Sequence, residues 1–198
     1  MAKVVQFPGL APEKLGPQKV RRRPSRKKEN PAQLSLFTGR LVSLHQTGVF
    51  DAALAADEEG DVVKAKQLYE QAISVNENPA DAWCNLGIIE AKQGDAVKAI
   101  AAFTHALSLE PRHLEAHYNL ANAYAEAGNY ALAEIHYRLA IDIAPDFPNS
   151  YYNLGLTLAL QKSYVQAIDC LTTYCRLTAS SEHEQAMEII RHLQAISA

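Results

Sequence analysis

Residues 80–113 read ADAWCNLGIIEAKQGDAVKAIAAFTHALSLEPRH, and the pattern inside them returns 34 residues later. Trp83, Leu86, Gly87 and Glu90 recur at helical spacing in the first half, and Ala99, Phe103 and Ala106 in the second. Gly94-Asp95 breaks the two patterns apart and Pro111 closes the second, so the stretch predicts a helical hairpin. Numbering Ala80 as place one, Leu86, Leu120 and Leu154 share place seven, while Gly87, Ala121 and Gly155 share place eight. Ala65, Ala99, Ala133 and Ala167 share place twenty; Tyr69, Phe103, Tyr137 and Leu171 share place twenty-four; Ala72, Ala106 and Ala140 share place twenty-seven. The small places let two helices approach closely, and the large ones fill the space between them. These residues are therefore expected as core.

The four copies, 46–79, 80–113, 114–147 and 148–181, resemble tetratricopeptide repeats, whose signature is Trp, Leu, Gly, Tyr, Ala, Phe, Ala and Pro at these spacings. The second copy keeps seven of the eight. The resemblance implies an all-α fold, a right-handed superhelical solenoid of hairpins, and a non-catalytic protein-interaction scaffold. Glu77 stands in the place of the first closing proline, with Pro79 two residues late. The fourth copy departs most, with Leu171, Tyr174 and Ala179 where an aromatic residue, alanine and proline are expected, so its second helix is read as running on toward the terminus. Leu41 to Glu59 is read as the first helix of the array. The turns Gly60-Asp61, Gly94-Asp95, Gly128-Asn129 and Lys162-Ser163 each offer a capping residue to the helix that follows. Residues 182–198 form an amphipathic capping helix through Met187, Ile190, Leu193 and Ile196.

With 198 residues and 48% hydrophobic content the chain can bury a sizeable core, and it has no apolar run long enough for a membrane span. Three cysteines without CxxC spacing argue against a disulfide framework and a structural zinc site, which fits a cytoplasmic protein without cofactor or metal. No phosphate loop, nucleophile elbow or HExxH pattern points to catalysis or to a small-molecule substrate.

The net charge of −3 conceals a division, because residues 1–40 carry ten Lys or Arg against Glu13 and Glu29 while the rest is acidic. Residues 1–45 are read as an arm separate from the array, and 1–31, with five prolines, as disordered. Its run KVRRRPSRKK, residues 19–28, contains Arg21, Arg22, Arg23, Arg26, Lys27 and Lys28. Such a run binds nucleic-acid phosphates, solubilises, or folds back on an acidic array, and all three readings stand. After it, Gln33, Leu34, Leu36 and Phe37 of QLSLF resemble the motif by which bacterial replication and repair proteins dock on the sliding clamp. The alternative is that Leu34, Leu36 and Phe37 cover the open edge of the first repeat.

In the tetratricopeptide family, first helices line a groove through places two, five, six, nine, twelve and thirteen. Place six reads Asp51, Asn85, Asn119 and Asn153, a row that resembles the asparagine ladder of the O-linked N-acetylglucosamine transferase repeats, where side-chain amides grip a peptide backbone. An amide offers both the donor and the acceptor that a peptide unit needs. Place five adds Phe50, Cys84, Tyr118 and Tyr152, and place nine Leu54, Ile88, Asn122 and Leu156, as an expected apolar and aromatic floor. The competing reading is that place-six asparagines only bond between neighbouring helices. Places two and five contain no Lys or Arg, so the family's clamp for terminal carboxylates is not expected, and the acidic array favours neutral or basic ligands.

Overall fold

A computed structural model describes residues 17–20, 48–180 and 183–197. The described residues after 47 form four antiparallel hairpins and a final helix. They are α1 (Val49–Glu58) with α2 (Val62–Ser74), α3 (Pro79–Lys92) with α4 (Ala96–Leu109), α5 (Leu114–Glu126) with α6 (Tyr130–Ile143), α7 (Pro148–Leu160) with α8 (Tyr164–Leu177), then α9 (His183–Ser197). Each helix packs on its neighbours in sequence, and α3, α5 and α7 also meet one another in series. Helices α3, α5 and α7 therefore share one face of the stack. No helix among the described residues is long and apolar enough to cross a membrane.

Packing within a hairpin follows the repeat. The four place-twenty alanines, Ala65, Ala99, Ala133 and Ala167, are all fully buried. At place eight a Cβ on Gly87 would lie 2.6 Å from Cε1 of Phe103, and one on Gly155 would lie 2.8 Å from Cγ of Leu171. Places eight and twenty-four thus interlock, and a small residue, glycine or alanine, stands beside the large one in every repeat. Glu90, at the place where the signature has tyrosine, is nearly buried and binds Lys66 of the preceding hairpin at 2.5 Å.

The turns carry the helix starts. Asp61, Asp95 and Asn129 accept from the amides of Lys64, Lys98 and Leu132 at 3.1, 3.1 and 3.3 Å. Ser163, expected to do the same for α8, makes no side-chain cap bond. Gly60, Gly94 and Gly128 precede those caps with φ between 75° and 81°, whereas Lys162 holds the same left-handed turn with φ 63°. Lys162→Gly is therefore expected to raise stability by about 1 kcal/mol, read as a higher midpoint in urea.

Two expected helix bounds are corrected. The first helix does not run from Leu41, because Gly48 has extended backbone and helix α1 starts at Val49; residues 41–47 lie outside the described residues. The cause is Glu77, the residue in the proline slot, whose carboxylate accepts from the amides of Val49 at 3.0 Å and Phe50 at 3.3 Å. A negative charge there suits a helix N-terminus, and Gly48 leaves it room, since a Cβ at Gly48 would overlap Glu77 Oε1. The second helix of the fourth copy likewise stops at Leu177 instead of running on. Both the amide and the hydroxyl of Thr178 donate to the Tyr174 carbonyl, at 3.1 and 2.9 Å, and the backbone turns extended. Helix α9 then packs back on α8 through Ala186, Ile190 and Leu193, which lie in one cluster with Leu171 and Tyr174.

Candidate functional site

Asn85 on α3 and Asn119 on α5 are buried on the face that the first helices share, and each holds one residue of the chain's own arm. The Asn119 side-chain oxygen accepts from the Gln18 amide at 2.8 Å, while its Nδ2 donates to the Gln18 carbonyl at 2.9 Å. Asn85 repeats this on Val20, accepting from its amide at 3.1 Å and donating to its carbonyl at 3.3 Å. Both backbone groups of alternate residues are thereby satisfied, the pattern of one edge of an extended strand. The spare Nδ2 hydrogen of Asn85 goes to the Tyr69 hydroxyl at 3.2 Å, which fixes the amide in the orientation the backbone needs.

Side chains of the segment are held as well. Val20 is fully buried in a cluster with Cys84, Ile88, Phe103 and Leu120, a burial that contributes on the order of 1.5–2 kcal/mol. Lys19, between the two gripped residues, reaches Asp57 of α1 at 2.6 Å. A cavity of about 930 Å³ remains beside the segment, lined by Leu54, Leu114 and Phe147 together with the carboxylates of Asp51, Asp57, Glu58 and Glu115 and the ammonium of Lys92. The site is thus a partly filled groove with acidic walls.

The place-six row divides. Asn153 is buried like the other two, but its Nδ2 donates to the Tyr118 hydroxyl at 2.9 Å and to Asn122 Oδ1 at 3.0 Å, so it bonds between helices. Asn122 Oδ1 also accepts from the Tyr137 hydroxyl at 2.6 Å, which ties this place-nine residue to the same internal network. At place five, Cys84 lies in the Val20 cluster, and only the aromatic residues are corrected as a floor. Phe50 meets Tyr69, Tyr118 meets Tyr137 and Phe147, and Tyr152 meets Tyr174, all buried, because this place turns toward the hairpin partner. Burial also pushes the phenols of Tyr118 and Tyr152 up to about 12, so both remain neutral hydrogen-bonding groups. At place nine, Leu54 lines the large cavity, Ile88 lies in the Val20 cluster, and Leu156 faces a separate cavity of about 120 Å³ with Asn122 and Asn153.

The sequence does not single out Asp57, Pro17 or Gln18, whereas Lys19 and Val20 open the basic run for which folding back on the acidic array is one of the readings. Asp57 occupies place twelve, an inward place of the family, and its charge against the basic arm was the available signal. Arg21, Arg22, Arg23, Arg26, Lys27 and Lys28, and Gln33, Leu34, Leu36 and Phe37, lie outside the described residues.

Other polar clusters have structural employment. Asp81, Glu110 and His113 bring their ligand atoms within 4.8 Å of one another. His113 Nε2 lies 2.9 Å from Asp81 Oδ1, and its Nδ1 accepts from the Ala116 amide at 3.2 Å, so the ring caps α5 and ties it to α3. His117 and His136 stack with their Nδ1 atoms 3.0 Å apart, and burial together with the neighbouring ring pushes His136 down to about 4. Burial raises the Cys170 thiol to about 11, which keeps it protonated and poorly nucleophilic.

Two tetratricopeptide-repeat family models match, over residues 50–109 and 90–154, together 105 of the 198 residues. The chain belongs to the tetratricopeptide-repeat family, whose members serve as protein-interaction scaffolds. No curated protein matches it in sequence. Among solved structures, a crystal structure of MamA protein superposes with a TM-score of 0.66 at 20% identity, covering 74% of this chain and 79% of that one. The first repeat domain of Spaghetti (RPAP3) bound to the HSP90 peptide SRMEEVD superposes with a TM-score of 0.56 at 22% identity, covering 60% of this chain and 94% of that one. These likenesses establish the fold.

Proposed function

We propose that the protein is a non-catalytic interaction module whose concave face binds an extended peptide segment of a partner protein by its backbone. The observation that carries this reading is that Asn85 and Asn119 each close both hydrogen bonds of one residue in an extended segment. Side-chain amides preset for backbone bind with little regard for sequence, and selectivity then comes from neighbouring pockets and charges. Asp51, Asp57, Glu58 and Glu115 give those surroundings an acidic character. A peptide of the kind seen on the RPAP3 repeats, with adjacent glutamates, has the wrong charge for this groove.

Quantitative capture of cell proteins on the immobilised full chain carrying Val20→Glu, which removes the arm residue buried in the groove, compared with the same chain also carrying Asn85→Ala/Asn119→Ala, tests the reading. The chain with both asparagines replaced is expected to keep its far-UV circular dichroism and to lose at least about 10-fold in recovery of groove partners, as four hydrogen bonds at about 0.5–1.5 kcal/mol each imply. Identical recoveries from both chains would remove the groove from the account.

A further inference from the structure

We propose that Pro17–Val20 is a resident ligand of the groove in cis, and that the partner segment it mimics is an extended peptide with a lysine or arginine followed by valine. This rests on the groove reading above and gives that groove its ligand chemistry. Three independent contacts define the class. Backbone at alternate residues is taken by Asn119 and Asn85. The residue between them is a cation paired with Asp57. The residue after the cation is a short branched aliphatic with no exposed surface, enclosed among Cys84, Ile88, Leu120 and the alanines Ala116 and Ala123. Those walls suit the valine, and a charged side chain placed there would be buried without a partner.

Only residues 21–48 separate the gripped segment from the first helix of the array. A tether of that length holds the segment near the groove at an effective concentration on the order of millimolar, so it occupies the site until a tighter or more abundant segment displaces it. The Lys19–Asp57 contact makes the exchange sensitive to salt and to charge on either side.

The test is fluorescence anisotropy with a labelled peptide of residues 15–22, LGPQKVRR, titrated with the full chain and with its Val20→Glu variant, whose own segment no longer fits. The Val20→Glu chain is expected to bind the peptide at least about 10-fold more tightly than the native chain, the advantage of removing an intramolecular competitor. A peptide with aspartate for the valine, or glutamate for the lysine, is expected to lose that binding. Equal affinity for both chains, or no binding to either, overturns the proposal. Hydrogen exchange supplies a second measurement that needs no displaced arm: the amides of Gln18 and Val20 are expected to be protected in the native chain and unprotected in Asn85→Ala/Asn119→Ala. Rapid exchange of both in the native chain also overturns it, as does a native dimer that Val20→Glu converts to monomer, since the segment would then sit on a second copy. If these fail while partner capture still depends on Asn85 and Asn119, the groove stands and only its resident ligand falls.

Discussion

Phe103→Ala is expected to lower the unfolding free energy by about 3–5 kcal/mol, the range for emptying a buried aromatic site. Phe103 is 1% exposed, and the residues around its ring are ones that cannot swell to replace it: Gly87 directly opposite, with Ala99 and Ala106 in the same cluster. The cavity therefore stays open, and the loss includes the cavity term as well as the transfer term. Phe103→Leu is expected to cost less, about 1–1.5 kcal/mol, because the fourth repeat already packs Leu171 on Gly155 at the same pair of places. Urea unfolding followed by circular dichroism reads both variants. In an array stabilised by nearest-neighbour interfaces, damage to the second hairpin is also expected to uncouple the first, giving a broader transition in the alanine variant than in the leucine one.

His113→Ala is expected to cost about 2–4 kcal/mol, far more than a residue in a loop between hairpins would suggest. The ring is fully buried and performs two tasks, capping the Ala116 amide at the start of α5 and partnering the Asp81 carboxylate on α3. A lost cap accounts for about 0.5–2 kcal/mol and a polar group stripped of its buried partner for about 1–3. A double-mutant cycle with Asp81→Ala separates the two, since the pair term vanishes once both partners are gone while the cap term persists. Additive losses in that cycle would show that the Asp81 contact contributes nothing to stability.

The hairpins were legible because each repeat place has one steric job, and that job is visible as a residue size: Gly87 against Phe103, Gly155 against Leu171, an alanine at every place twenty. Ends were less legible, since they depend on bonds between residues distant in sequence. Glu77 looked like a missing proline and is instead the cap of a helix that starts 28 residues earlier. Thr178 ends α8 by folding its hydroxyl onto the preceding turn, a choice that helical periodicity does not encode. At the site, the asparagine row was visible as a period, but which rungs face a ligand was not. Asn153 has the phenol of Tyr118 and the amide of Asn122 within reach, so it spends its donors inside the fold. Asn85 and Asn119 each spend one donor inside the fold, on Tyr69 and Cys84, and keep the other for Val20 and Gln18. Aromatic residues at place five were misjudged as floor because burial against the hairpin partner and exposure to a groove both favour large apolar side chains.

The order in which the arm residues meet the array gives the groove a direction. Gln18 sits on the third repeat, Val20 on the second, and Lys19 between them reaches the first, so the segment lies head to tail against the succession of repeats. A side-chain amide bonded to both groups of one residue discriminates little between chain directions, so the direction rests on the order in which the cation at Asp57 and the aliphatic residue in the Val20 enclosure follow one another. A partner segment bound as we propose, in the direction of the arm, leads onward toward the first hairpin and back toward the last, an order that its flanking parts then share.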